Sequence, residues 1–188
     1  MPAFADSKRP PAQNGRSSHK ETVQALRYRS PLGEMLLCAV AGGLCGAWFE
    51  GQAHFAAGLS DFAENPENQI LRDSAQFLNA YFSGNAPEMK LPLSLCGTPF
   101  QCAVWEMLRQ IPFGQSVTYG EIAAALSVKH GRRVSARAVG GAVGRNPLSV
   151  IVPCHRVLGA GGMLTGYAGG LARKRYLLTL EHIQFEEK

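Results

Sequence analysis

Turn residues interrupt β-forming residues in the first part of the chain, where the apolar positions follow no helical period. Between residues 22 and 49 the breaks fall at Ser30-Pro31-Leu32-Gly33 and Ala41-Gly42-Gly43, which predicts hairpins. Apolar side chains near helical spacing, among them Ile70, Leu71 and Leu78, then predict a helix over 68–82. We therefore expect a small α/β N-terminal domain over residues 22–95.

Helical periodicity dominates the rest of the chain, residues 96–188. Helices are predicted from Pro99 to about Ile111, over Tyr119–Leu126, over Ser135–Val143 and over Leu171–Glu181. The second and third, joined by the basic connection 127–134, have the outline of a helix-turn-helix. The run 148–152 is apolar and lies between two prolines, which predicts a buried extended segment ending at Cys154. The fold class expected for the whole chain is α/β, with a mostly helical C-terminal domain.

Composition restricts the class of protein. The 188 residues are 46% hydrophobic and 18% charged, and no apolar run approaches the ~20 residues that span a bilayer. Residues 1–21 are polar, Pro-rich and basic, so a disordered arm and a cytoplasmic protein are expected. The five cysteines contain no C-x-x-C pair, which favours free thiols, and the five histidines are scattered, which argues against a metal site.

The positive charge is concentrated in the C-terminal part. Residues 1–118 hold nine basic and ten acidic side chains, whereas residues 119–188 hold ten basic and four acidic ones. This asymmetry suggests a polyanionic partner such as nucleic acid, and a solvated basic face is the alternative. No glycine pattern matches a nucleotide-binding fingerprint, so no nucleotide cofactor is expected.

The strongest chemical signal is Pro153-Cys154-His155-Arg156, a thiol beside two potential cations. Nearby positive charge lowers the pKa of a thiol and favours the nucleophilic thiolate. The alternative is a structural cysteine, because free cysteine is among the most buried residue types.

Three linked motifs resemble the O6-alkylguanine-DNA alkyltransferases, or methylated-DNA–protein-cysteine methyltransferases, in their stand-alone bacterial form. The motifs are Asn146-Pro147, Ile151-Val152-Pro153-Cys154-His155-Arg156-Val157, and Thr165-Gly166-Tyr167-Ala168-Gly169-Gly170-Leu171 followed by Glu181. The resemblance covers about residues 97–182, with a looser likeness before them. It implies a DNA-repair protein that transfers an alkyl group irreversibly from O6-alkylguanine in duplex DNA, and possibly from O4-alkylthymine, to its own cysteine.

The resemblance also assigns catalytic roles. Cys154 corresponds to the alkyl acceptor, His155 to its base acting through a water, and Glu181 to the group that orients the imidazole. Asn146 corresponds to the residue that fixes the active-site turn, and Tyr119 to the tyrosine whose hydroxyl donates a proton or a hydrogen bond to the departing guanine. Without the resemblance, Glu181 is interpreted as a solvated helix-end carboxylate.

Further positions correspond to substrate and DNA contacts. Tyr167 matches the pocket wall, and the carbonyls of Cys154 and Val157 match contacts to the guanine amine. Thr165 and Ala168 of the same motif are also expected to bind the substrate. Ala168 stands where some relatives have serine. Arg137 matches the arginine that replaces the flipped nucleotide, on a helix of small residues expected to approach the minor groove. The other DNA-binding residues expected there are Ser135, Ala136, Ala138 and Gly140. Tight packing inside the protein is the alternative explanation for the glycines.

Two rival functions are compared with these expectations, and one sequence feature argues against each. A non-enzymatic lesion binder lacks the nucleophile that Cys154 supplies, and a cysteine hydrolase has no need of a recognition helix carrying Arg137. The resemblance further implies a monomer that acts once per molecule, without a cofactor, metal, membrane or obligate protein partner. The four-cysteine module fused to some relatives does not occur in the sequence, so no adaptive-response role in transcription is expected.

Overall fold

The computed structural model describes residues 22–59 and 61–187, so the arm predicted over residues 1–21 lies outside the described residues. The chain begins with strands β1 (Val23–Ser30), β2 (Gly33–Val40) and β3 (Gly43–Phe49), which pair antiparallel and confirm both predicted hairpins. A short strand that the sequence did not predict, β4 (Phe62–Glu64), pairs parallel with β1, and the order is β3-β2-β1-β4.

Helix α1 (Gln69–Phe82) follows the sheet and packs against its first three strands. The side chain of Asn68 caps its start by accepting a hydrogen bond from the Leu71 amide. Leu71, Leu78 and Tyr81 are buried, as the helical spacing predicted. This packing brings the C-terminal end of α1, and with it Tyr81, toward the other half of the chain.

The C-terminal half contains four helices and a minimal sheet, which agrees with the predicted α/β class. Its elements are α2 (Pro99–Arg109), β5 (Val117–Thr118), α3 (Tyr119–His130), α4 (Ala136–Val143), a 3-10 turn at Cys154–Arg156, β6 (Val157–Leu158), a second 3-10 turn at Ala160–Gly162, and α5 (Leu171–Leu180). Strands β5 and β6 pair in parallel. Trp105 on α2 donates a hydrogen bond from its indole to the Ala142 carbonyl of α4, 2.9 Å away, which fixes these two helices together.

The predicted connection 127–134 is shorter in the structure. Helix α3 continues to His130 and ends at Gly131, whose φ of 63° is left-handed, so residues 127–130 are helical. The Ser127 hydroxyl then accepts a hydrogen bond from the Val134 amide at 2.8 Å. The helix-turn-helix therefore has a tight turn, and residues 127–130 of the predicted connection belong to its first helix.

The prediction of an extended segment over 148–152 was wrong, although these residues are buried as expected. Leu148 makes a single bridge to Ala47 of β3, and the chain then turns, with the Val152 amide donating to the Leu148 carbonyl at 2.8 Å. Val150 has a φ of 71°, an uncommon conformation for a β-branched residue. Side-chain hydrogen bonds from Asn146 overrule the extended preference of the apolar residues, as described below.

The edge strand β3 joins the two halves. On this edge, Leu44 exchanges backbone hydrogen bonds with Pro92 and Ser94, and Ala47 exchanges them with Pro147 and Ser149. One hydrophobic core runs from the sheet through α1, α2, α3 and the loop before Cys154. The N-terminal sheet therefore supports the segment that carries Cys154. Within residues 22–59 and 61–187, no helix is long and apolar enough to cross a bilayer.

Candidate active site

Cys154 begins the 3-10 turn and lies at the bottom of a cavity with a volume of about 320 Å³. Its side chain is 4% exposed. Sγ accepts a hydrogen bond from the amide of Asn146 at 3.1 Å. The Asn146 amide therefore holds the thiol in the wall of this cavity.

Asn146 determines the shape of the loop before Cys154. Its Nδ2 also donates to the carbonyls of Leu148 and Val152, at 3.2 and 2.8 Å, while its Oδ1 accepts from the Leu148 amide at 3.0 Å. The side chain is 3% exposed, so these backbone groups have a partner although they are away from water. The structure thus brings Asn146 to the turn where the resemblance expects it.

His155 and Glu181 form a buried pair, and their separation is 2.7 Å between Nε2 and Oε1. His155 is fully buried and Glu181 is 1% exposed. Glu181 follows the last residue of α5 and caps that helix, so its position depends on where α5 ends. The interpretation of Glu181 as a solvated carboxylate is therefore wrong.

Glu181 accepts hydrogen bonds from five donors. Oε1 receives His155 Nε2, the Tyr81 hydroxyl at 2.6 Å and Arg156 Nη2 at 3.0 Å. Oε2 receives Arg156 Nε at 2.7 Å and the Gly114 amide at 3.1 Å. Hydrogen bonds from His155 and Arg156 outweigh the effect of burial and lower the pKa of Glu181 to about 2. Glu181 is therefore ionised across the physiological range.

The ionised carboxylate fixes the tautomer of His155. Because it accepts and does not donate, we assign the ring proton to Nε2, which leaves Nδ1 as the basic nitrogen. Nδ1 is buried and bonds no group of the described residues. Burial lowers the pKa of His155 and outweighs the opposing effect of Glu181, whose charge is balanced by Arg156. At rest His155 is neutral and has a free lone pair.

The neighbouring cations that the sequence suggested do not keep the pKa of the Cys154 thiol below its usual value. Burial raises the pKa of Cys154, although Asn146 and Lys174 act in the opposite direction. Arg156 donates to Glu181 and, from Nη1, to the Ile111 carbonyl at 2.6 Å, so its charge is balanced by the carboxylate. The thiol is therefore protonated at rest and needs a base when it reacts.

The cavity above Cys154 is formed by both halves of the chain. Its wall contains three predicted residues, Tyr119, Tyr167 and Ala168, together with Gly140 of α4 and Ala53 and His54 of the N-terminal part. The Ala53 amide donates to the Ala168 carbonyl at 2.9 Å and holds these two segments together. Burial raises the pKa of Tyr119, so its hydroxyl keeps its proton.

Two predicted substrate residues do not line this cavity. Val157 lies buried in β6, and its carbonyl accepts a hydrogen bond from Lys174 Nζ at 2.6 Å. Thr165 lines an adjoining depression with Tyr119 and Gly140, and its carbonyl accepts from the same ammonium at 3.1 Å. Lys174, which the sequence did not single out, is fully buried, and burial lowers its pKa to about 8.

Four of the five predicted DNA-contacting residues lie on an exposed surface beside the cavity, and the fifth, Gly140, lines the cavity wall. Ser135 caps α4 by accepting from the Ala138 amide at 3.1 Å. Ser135, Ala136, Arg137 and Ala138 are all exposed. A Cβ at Gly140 or Gly141 would approach no surrounding atom closer than 3.8 Å, which is ordinary contact. Tight packing inside the protein therefore does not explain these two glycines.

Sequence reasoning missed Tyr81 and the true partner of Arg156. Tyr81 lies 74 residues before His155, and its spacing in α1 is that of a core residue. Arg156 is two residues after Cys154 in the sequence, yet its guanidinium binds Glu181. Among the described residues, no three His, Cys, Asp or Glu side chains are grouped to hold a metal ion.

Replacing Glu181 with glutamine tests this network through stability. The change leaves Arg156 buried without its counter-charge, so the free energy of unfolding at pH 7 should fall by about 3–5 kcal/mol. Because the folded pKa of Glu181 is depressed, the stability it supplies is present above its unfolded value and is lost as pH falls toward about 2. Denaturant titrations should therefore show that the difference in the free energy of unfolding between wild type and Glu181→Gln becomes smaller below pH 4.5.

The matched control is Glu187→Gln, which breaks an exposed ion pair with Arg175. This variant should unfold almost like wild type across the same range. A Glu181→Gln variant as stable as Glu187→Gln would contradict the buried network.

Comparison with known protein families matches both halves of the chain. Residues 26–95 match the 6-O-methylguanine DNA methyltransferase, ribonuclease-like domain, and residues 99–183 match the 6-O-methylguanine DNA methyltransferase, DNA binding domain. Together these matches cover most of the sequence.

Similar proteins carry the corresponding name. Methylated-DNA–protein-cysteine methyltransferase of Mycobacterium leprae is 50% identical over 119 residues, which cover 63% of this chain and 70% of that protein. The protein of the same name from Methanosarcina acetivorans is 42% identical over 154 residues, 82% of this chain and 95% of that protein. The crystal structure of Mycobacterium tuberculosis OGT in complex with DNA has a TM-score of 0.71 and 40% identity, covering 85% of this chain and 92% of that one. The chain belongs to the 6-O-methylguanine DNA methyltransferase family.

Proposed function

We propose that this protein repairs duplex DNA by moving the alkyl group of an O6-alkylguanine onto Sγ of Cys154. The observation that carries the proposal is the position of Cys154, which lies at the bottom of a cavity beside α4 and next in sequence to the His155–Glu181 pair. The cavity volume falls within the range of small-molecule sites. Membership of the family and the names of its relatives support the same reaction.

In the proposed step, Sγ attacks the alkyl carbon while the bond between that carbon and O6 breaks. The thiol proton passes to Nδ1 of His155 through a water, and the resulting imidazolium is stabilised by Glu181. A neutral resting thiol and a neutral His155 fit this order of events, because the charged forms are needed only during the reaction. The product is a thioether, which water does not cleave, so each molecule acts once and needs no cofactor.

Tyr119 is proposed to donate its hydroxyl proton to the departing guanine, so that the base leaves uncharged. Its raised pKa keeps that proton available until charge develops on the base. His155 later returns the thiol proton to the tyrosinate through solvent, and the net change is one proton moved from Cys154 to guanine.

The target base must leave the stack before Cys154 can reach it, since the thiol lies inside a cavity. Helix α4 offers small exposed side chains for close approach to the minor groove, and Arg137 at its start is proposed to fill the gap left by the base. A Cβ at Gly140 or Gly141 would make only ordinary contacts within the protein, which supports an external reason for these glycines. Ser135, Ala136, Ala138 and Gly140 would contact the sugar-phosphate backbone.

The base itself is proposed to lie between Tyr119 and Tyr167, with Ala168 near the O6 substituent through its backbone amide. Val157 and Thr165 do not line the cavity, but Lys174 holds the carbonyls of both. We propose that they shape the floor on which the guanine amine is recognised. O4-alkylthymine is a proposed second substrate of the same cavity. A cytoplasmic monomer acting without a protein partner completes the proposal.

Mass spectrometry tests the acceptor directly. After mixing with duplex DNA containing O6-methylguanine, the intact protein should gain one methyl group, and the modification should map to the peptide containing Cys154. The gain should stop at one group per molecule however much substrate is added. Methylation of Cys38, Cys45, Cys96 or Cys102, or repeated turnover, would refute the assignment.

Arg137→Ala tests base flipping. The rate constant for repair of duplex DNA should fall at least about tenfold, because part of the cost of unstacking is no longer offset. Reaction with free O6-benzylguanine, which needs no flipping, should change little. Arg72→Ala, an exposed arginine on α1, is the matched control and should affect neither substrate. Equal slowing of both substrates by Arg137→Ala would exclude the flipping role.

His155→Ala tests the base. Its rate of methyl transfer at neutral pH should fall by about two orders of magnitude or more, since general-base assistance is lost. The residual rate should climb as pH rises, because hydroxide ionises the Cys154 thiol in place of the imidazole. The assay uses excess protein over labelled DNA, with folding checked by circular dichroism. A folded variant whose rate shows no such rise would remove His155 from the base role.

A further inference from the structure

The N-terminal half contributes one polar group to the buried network around His155. Tyr81, at the end of α1, is 2% exposed, and its hydroxyl donates to Glu181 Oε1 at 2.6 Å. The hydroxyl oxygen of Tyr81 also lies 3.2 Å from His155 Nε2. The phenol ring also meets the imidazole at 67°, with 6.2 Å between their centroids. One side chain therefore touches both members of the pair.

A tyrosine that served the core alone would not need this hydroxyl. Its ring already packs edge-on against Phe82 and Phe113, and phenylalanine would make those contacts equally well. A buried hydroxyl requires a partner, and the partner here is a carboxylate that already has four other donors. The arrangement is specific for a hydroxyl at this point.

We propose that Tyr81 is a positioning residue for alkyl transfer, which holds Glu181 and the His155 ring so that Nδ1 stays unprotonated and ready to take the thiol proton. The inference rests on the proposed function. Tyr81 touches neither the thiol nor the cavity above it, and it acts through Glu181 and His155.

Tyr81 can influence the protonation of His155 because both side chains donate to the same carboxylate oxygen of Glu181. Tyr81 and His155 Nε2 both donate to Oε1, so the tyrosine takes part of the negative charge that would otherwise favour an imidazolium. Removing the hydroxyl leaves that charge to His155 and favours its protonated form. The charged groups that act on the ring are Glu181 after α5, Arg156 in the same turn and Lys174 on α5, and the titratable thiol of Cys154 is its neighbour in the chain. Each of them is unchanged in a Tyr81→Phe variant.

The experiment measures the second-order rate of methyl transfer from O6-methylguanine DNA between pH 5 and 9 for wild type and Tyr81→Phe. We expect the variant to be about threefold to tenfold slower on the acid side, the effect of one hydrogen bond. Because the rate requires neutral His155, it falls as pH drops through the pKa of that ring. A raised pKa therefore moves this fall to higher pH, and the variant should approach the wild-type rate in alkaline buffer.

The matched control is Tyr28→Phe. Tyr28 on β1 is 9% exposed, and its hydroxyl donates to the Asn79 side chain at 2.9 Å. Asn79 lies on α1, the helix that carries Tyr81, but away from the site. Each variant loses one tyrosine hydrogen bond, part-buried at Tyr28 and buried at Tyr81, and only Tyr81→Phe should change the pH profile. A uniform loss at every pH, or a profile equal to that of Tyr28→Phe, overturns the positioning role. Absence of transfer by wild type would instead refute the proposed function itself.

Discussion

The carboxylate of Glu181 is the interaction on which the rest of the site depends. Its donors come from α1, the turn after α2 and the 3-10 turn at Cys154, while Glu181 itself ends α5. An isolated buried carboxylate would be costly, and Arg156 offsets its charge. The pair is neutral as a unit, so it can orient His155 without keeping the ring charged. This constraint explains how the pKa of a histidine near two cations and a carboxylate is lowered, so that its ring is neutral at rest.

The two halves of the chain act as one structure around this group. The outer edge of β3 binds both the linker at Pro92 and the loop at Pro147, so the sheet holds the segment that leads to Cys154. Ala53 and His54 complete the wall of the cavity from the same side. The sheet is therefore part of the site, although most of the groups proposed to take part in chemistry lie after residue 118.

Local sequence signals predicted much of this structure. The hairpins and the main helices follow from turn chemistry and periodicity, and the motif around Cys154 identified the family. The sequence did not predict the features that depend on side-chain contacts and on contacts between distant residues. Apolar residues 148–152 favour an extended chain, but Asn146 bonds their carbonyls and bends it. The pairing of Arg156 with Glu181, and the contact of Tyr81 with His155, join positions 25 and 74 residues apart, where sequence spacing carries no signal.

The central claim is that His155 is neutral at rest and carries its proton on Nε2. Nitrogen-15 correlation spectra of labelled protein distinguish protonated from unprotonated ring nitrogens and measure this state directly. At neutral pH the account predicts a protonated Nε2, bound to Glu181, and an unprotonated Nδ1 for His155. A doubly protonated ring, or a proton on Nδ1 instead, would contradict it.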